Sequence, residues 1–134
     1  MSMPSRKLIC AAVALLLAAG EAWADRHAPD AVLVFAPGGD SVAAADDATL
    51  EQISSQARSG PNKWISLEAY ADDQGSRELN LALAQRRIDE VSHHLVSLGF
   101  PANRIRGTSY GDEHMGGSDL PMRRVDIRVR PLQR

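Results

Sequence analysis

The chain has 134 residues, with 15 Lys and Arg against 17 Asp and Glu, 44% hydrophobic residues and one cysteine. That length bounds it to one domain, and a lone cysteine excludes a disulfide scaffold. A formal net charge of −2 argues against a chain dedicated to nucleic acid, and no stretch reaches the ~18 apolar residues of a membrane span.

Arg6 and Lys7 precede 12 unbroken apolar residues, Leu8 to Ala19, before Gly20; Ala22-Trp23-Ala24 then sets small residues two places apart. The pattern predicts a secretory signal over residues 1–24, cut between Ala24 and Asp25. A retained membrane anchor is disfavoured, because 12 residues are too few to cross ~30 Å of hydrocarbon as a helix. Residues 25–134 are then one exported domain with 13 basic and 16 acidic residues and no cysteine, since Cys10 falls in the signal. The expected location is the periplasm.

Ala31 to Phe35 is an apolar run of strand length, stopped by Ala36-Pro37-Gly38-Gly39. Asp46 and Asp47 are N-cap candidates for a helix carrying Leu50, Ile53 and Ala57, which Gly60-Pro61 ends. Ile65, Leu67 and Ala69 then alternate with Ser66, Glu68 and Tyr70, as in a strand with one buried face. After the polar turn Ala71 to Ser76 a long helix is expected from Arg77 to Leu98, with Leu81, Ala84, Ile88, Val91, Leu95 and Leu98 on one stripe and Gly99 as its left-handed cap. Arg104 to Tyr110 reads as a strand, Gly111 to Pro121 as a loop, and Val125, Ile127 and Val129 as the buried side of a last strand. The order β-α-β-α-β-β predicts an α+β, two-layer sandwich with both helices on one face of a mixed sheet.

Candidate chemistry is sparse. Asp72 and Asp73 sit where an acidic residue is ordinary on capping and dipole grounds. Arg87 flanks the helix stripe, about 40° from Leu83 and Val91, and holds its charge near the sheet edge. His93 and His94 diverge by about 100° on a helix and do not readily share an ion; Asp112, Glu113 or His114 could add a ligand, but no H-E-x-x-H occurs and no metal site or cofactor is expected. No nucleophile elbow or phosphate-binding glycine loop is present. Arg123, Arg124, Arg128, Arg130 and Arg134 read as a solvated strand face rather than a phosphate patch.

Four motifs nevertheless stand in order: Ala71-Asp72-x-x-Gly75; Asn80-x-x-Leu83-x-x-x-Arg87-x-x-x-Val91; Ser109-Tyr110-Gly111-Asp112-Glu113; and Arg123-Arg124-Val125-x-Ile127. Together they resemble the OmpA-like peptidoglycan-binding domain, and Asn80 to Arg87 is similar to the peptidoglycan-associated lipoprotein branch, without that branch's lipid-attachment cysteine. The resemblance runs from about Leu33 to Val129. It implies an OmpA-like fold of the same β-α-β-α-β-β order and non-catalytic binding of peptidoglycan through the diaminopimelate of its stem peptide, with association to the cell wall or outer membrane. Asp72 would meet the ammonium and Arg87 the carboxylate of that residue's free end; Asn80, Leu83, Gly75 and Arg124 match further positions of the site. Arg87 lies two turns or more into its helix, so the Asp72 loop must fold back along it. Gly39 stands where the family usually carries Ser, Pro37 is an intrusion, and Met122 replaces an Asn. The alternative expectation is an interaction module of a secretion, motility or envelope assembly, with protein partners and weak or lost wall binding. A wall hydrolase is disfavoured, since adjacent Asp72 and Asp73 rarely hold the ~5 Å or larger spacing of a glycosidase pair.

Overall fold

The computed structural model describes residues 28–72, 75–111 and 121–132. The expected signal, its cleavage point and the Asp112 to His114 cluster lie outside the described residues. Four strands, β1 (Ala31–Val34), β2 (Lys63–Tyr70), β3 (Ile105–Gly111) and β4 (Arg124–Pro131), accompany two helices, α1 (Asp47–Arg58) and α2 (Arg77–Ser97). The strands form one sheet in the order β1-β4-β2-β3. Pairing is antiparallel at β1–β4 and β4–β2 but parallel at β2–β3, so the sheet is mixed, as expected. The parallel pair requires the crossover that α2 supplies.

Alternation fixes which face the helices cover. Ile65, Leu67 and Ala69 of β2 and Val125 and Ile127 of β4 are fully buried, and they join Leu50, Ile53 and Ala57 of α1 and Leu83, Ala84, Ile88, Val91 and Leu95 of α2 in one core. A period of two on the strands and of 3.6 on the helices turns both apolar sets inward.

The termini of α2 follow local chemistry. The Ser76 hydroxyl accepts from the Leu79 N–H at 3.2 Å, an ordinary N-cap. At the other end Gly99 adopts φ 96°, its N–H bonds the Val96 carbonyl, and the Phe100 N–H bonds the Leu95 carbonyl. This is a Schellman closure, completed by Phe100 and Leu95 in the core. At α1 the expectation fails: Asp46 is helical (φ −88°, ψ −8°) and its side chain caps nothing. A 3₁₀ turn over Ala44–Asp46 leads straight into the helix, so the extended backbone an N-cap needs is absent.

The buried arc of α2 is wider than the expected stripe. Leu81 and Leu98 are only partly buried, whereas Asn80, Leu83 and Arg87 form a second buried row. Close approach to β3 is possible because Gly107 has no side chain: a Cβ there would stand 2.5 Å from Ile88 Cγ2. A β-branched residue on a helix has little rotamer freedom with which to retreat. Gly107→Ala should therefore destabilise the domain by about 1–3 kcal/mol in urea denaturation, the range for overpacking, while Thr108→Ala at the neighbouring exposed position should change it by less than about 0.5 kcal/mol.

Candidate functional site

Arg87 is the largest fully buried side chain among the described residues, with no solvent exposure. It is not at the rim of the stripe, as its helical angle suggested, because the segment following β1 closes over that side of α2. Its Nε donates to the Gly39 carbonyl at 2.8 Å, Nη1 to the Tyr70 carbonyl at 3.0 Å and Nη2 to the Ala36 carbonyl at 3.3 Å. The Phe35 ring lies 5.2 Å from the guanidinium carbon. Carbonyl dipoles and an aromatic face thus replace hydration around a charge that would otherwise be prohibitive to bury.

Two of those acceptors come from one turn. The Gly39 N–H bonds the Ala36 carbonyl at 2.9 Å, and Gly38 has φ 69°. Proline at the second position and a left-handed glycine at the third are what a type II turn demands. Pro37, an intrusion in the family pattern, thus helps build the turn that holds Arg87. The departure at Gly39 does not touch this contact either, since the bond uses a backbone carbonyl.

The third acceptor, Tyr70, ends β2 and leads directly into Ala71 and Asp72. The Ala71 N–H bonds the Gly111 carbonyl at 2.7 Å, and Gly111 (φ 60°) follows a bulge that pairs Tyr70 with Gly111 instead of Tyr110. Asp72 is exposed, and its Cα lies within roughly 7 Å of that of Tyr70 by chain connectivity. A fixed cation and a solvent-facing carboxylate therefore sit at the same end of the sheet. Gly75, with φ 154°, shapes the exposed turn into Ser76. Asn80 and Leu83 share the helix row of Arg87, and each is 5% exposed.

Arg124 is placed differently. Val125 and Ile127 occupy the helix side of β4, so Arg124 and Asp126 project from the other face. They form an ion pair at 3.0 Å, both 5% exposed, and the Arg124 guanidinium lies 4.4 Å from the Tyr70 ring centre. The expected solvated strand face is thus corrected here: this part of it is a buried polar cluster. Tyr70 joins the two arginines, its carbonyl held by Arg87 and its ring by Arg124, with Tyr110 stacked at 5.2 Å. Sequence reasoning missed Phe35, Tyr70 and Asp126; the i, i+2 spacing of Arg124 and Asp126 on a strand was the available signal. Among the described residues no group of three His, Cys, Asp or Glu side chains could hold a metal. His94 instead contacts Glu90 at 3.2 Å.

Burial raises the Tyr70 hydroxyl above its usual pKa of 10.0, reinforced by Glu68 and Asp126 and opposed by Arg124. A raised folded-state value means that the neutral phenol favours the fold, and that this stabilisation is lost as pH climbs through the folded pKa. In a Tyr110→Phe chain, where Tyr70 is the remaining tyrosine, the phenolate absorbance midpoint should fall above 10, and adding Arg124→Gln should raise it further. Arg87→Ala removes one donor from each of three carbonyls and opens a cavity, so it should cost on the order of 3–5 kcal/mol in thermal or urea unfolding.

Comparison with known proteins agrees with this architecture. The OmpA family profile matches residues 34–119. A peptidoglycan-associated lipoprotein of Rhizobium meliloti is 44% identical over 73 residues, which cover 54% of this chain and 42% of that relative. The chain therefore matches less than half the length of that protein. Among solved structures, the peptidoglycan-associated lipoprotein of Burkholderia pseudomallei superposes with a TM-score of 0.65 at 28% identity, covering 74% of this chain and 89% of that one. The C-terminal domain of Helicobacter pylori MotB shares the fold, with a TM-score of 0.62 at 20% identity over 75% of this chain and 84% of its own. With the OmpA profile matching more than half of the chain and a solved relative superposing on most of it, the chain belongs to the OmpA family.

Proposed function

We propose that this domain binds peptidoglycan non-covalently in the periplasm through the diaminopimelate of the stem peptide, tethering or organising the envelope without catalysing a reaction on the wall. The free end of diaminopimelate carries an ammonium and a carboxylate on one carbon. Recognising it needs an anion and a cation side by side. The observation that carries the reading is the Arg87 guanidinium, fixed by the Tyr70 carbonyl at the end of the strand that delivers exposed Asp72. A planar guanidinium suits a carboxylate, and an exposed carboxylate suits an ammonium. The relatives named for association with peptidoglycan support the same role. Gly75 shapes the turn in this reading, Asn80 and Leu83 back the site from the helix, and Arg124 supports it through the Tyr70 ring.

One observation favours a second reading. Arg87 is wholly buried, so a ligand carboxylate reaches it only if the covering segments part. A domain whose groove stays shut would serve instead as an interaction module for protein partners in an envelope assembly.

Co-sedimentation with purified sacculi separates the two. Wild-type protein should pellet with the wall, and Asp72→Ala, at an exposed position, should melt like wild type yet bind about tenfold more weakly, the loss of one charge-assisted contact. Equal binding by wild type and Asp72→Ala would remove Asp72 from the site. Wild-type protein that stays in the supernatant would leave the interaction-module reading standing.

A further inference from the structure

The face of the sheet opposite the helices changes character at its other end. Trp64 is the second residue of β2 and Tyr70 its last, so the two regions are separated along the strand by about 20 Å. A cleft of about 570 Å³ opens there, lined by Trp64, Arg106, Arg130, Pro131 and Leu132. That volume is in the range of ordinary ligand pockets.

Its walls are held in place. The Trp64 indole N–H donates to the Pro131 carbonyl at 3.2 Å, which fixes the ring. The Leu132 N–H bonds the Asn62 carbonyl at 2.6 Å, securing the chain just past β4. Arg130 stands directly across the antiparallel pair from Trp64, and the Arg106 guanidinium lies 5.0 Å from the indole centre.

Glu68, the nearest acid along the outward row of β2, is engaged by Arg128 at 3.0 Å. Among the described residues no carboxylate forms an ion pair with Arg106 or Arg130, and both are exposed. Attraction to an indole face engages the charge of a guanidinium without using up its N–H donors, which suit a carboxylate. Beside these donors Leu132 is 41% exposed and Pro131 is exposed. Cationic forks next to an aliphatic wall and an aromatic ring call for a ligand that is anionic and apolar at once.

We propose that this cleft docks an acidic peptide segment of a protein partner, its carboxylates on Arg106 and Arg130 and an apolar side chain against Trp64 and Leu132. A bare oxyanion would leave the apolar wall unused. A membrane surface would need apolar groups that protrude, whereas here they line a concavity. The whole chain is slightly acidic, so two guanidiniums gathered in one cleft give an acidic segment a local attraction that orients the encounter.

The test is calorimetric titration of the chain with an N-acetylated peptide of four glutamates around one leucine, run beside a lysine version, inorganic phosphate and phosphatidylglycerol vesicles. Trp23 falls in the expected signal, so in the cut chain, or in an uncut Trp23→Phe chain, Trp64 is the remaining indole and its fluorescence locates the contact. The acidic peptide should bind and shift Trp64 emission, and added salt should weaken it. Arg106→Glu with Arg130→Glu should cut affinity by at least about tenfold while leaving the circular dichroism spectrum and sacculus binding unchanged. The proposal is overturned by absence of peptide binding, by binding that the double variant retains, by equal binding of the lysine peptide, by phosphate or vesicles binding where the peptide does not, or by loss of sacculus binding in the double variant, which would assign the cleft to the wall.

Discussion

A positive charge enclosed by protein has to be met by dipoles held in place, and among the described residues the carbonyls meeting Arg87 come from two places far apart in the chain. Ala36 and Gly39 belong to the turn after β1, and Tyr70 belongs to the end of β2. The arginine itself sits deep in α2. One side chain therefore locks an edge strand, a central strand and the long helix into a single body. Rotating α2 by one residue would swing Arg87 about 100° and leave three carbonyls without that donor. The charge and the fold are in this sense the same feature, and the strand whose last carbonyl Arg87 holds runs on to exposed Asp72.

The two faces of the sheet divide the remaining work. The helix face is apolar, apart from Arg87 and Asn80 on α2 and Ser54 on α1. The other face is graded along its length, from the buried Arg124, Asp126 and Tyr70 cluster at one end to the open Trp64 cleft at the other. The bulge opposite Tyr70 belongs to this gradation, since it lets Tyr110 stack on Tyr70 while Gly111 takes up the pairing. In the proposed binding, a slightly acidic chain gains nothing from bulk attraction to an anionic wall polymer, so recognition would fall to a few placed charges.

Much of the fold was legible because its signals were local. Alternation in Ile65, Leu67 and Ala69, the 3.6-residue recurrence in Ala84, Ile88, Val91 and Leu95, and Gly99 as a left-handed cap each depend on neighbours within a few positions. The order of elements then left few ways to build one sheet. What escaped depended on distant partners. Nothing near Arg87 in sequence announces that the Pro37-Gly38 turn will cover it, and the helical angle alone placed it at the margin. Asp46 looked like a cap until a 3₁₀ turn removed the extended backbone a cap requires. The strand alternation put Arg124 and Asp126 on an outward face, but only the ring of Tyr70 and the pairing of their own charges explain why that face is buried there.

The proposed recognition is of a zwitterion, with its ammonium at exposed Asp72 and its carboxylate at Arg87 once the segments covering that guanidinium part. The most direct measurement is calorimetric titration with two muropeptides that differ only at the third position, one carrying diaminopimelate and the other lysine, which keeps the ammonium but lacks the second carboxylate. Binding of the first, with the second weaker by about tenfold or more, is the predicted result. Equal affinity for the two, or heat from neither, would contradict it.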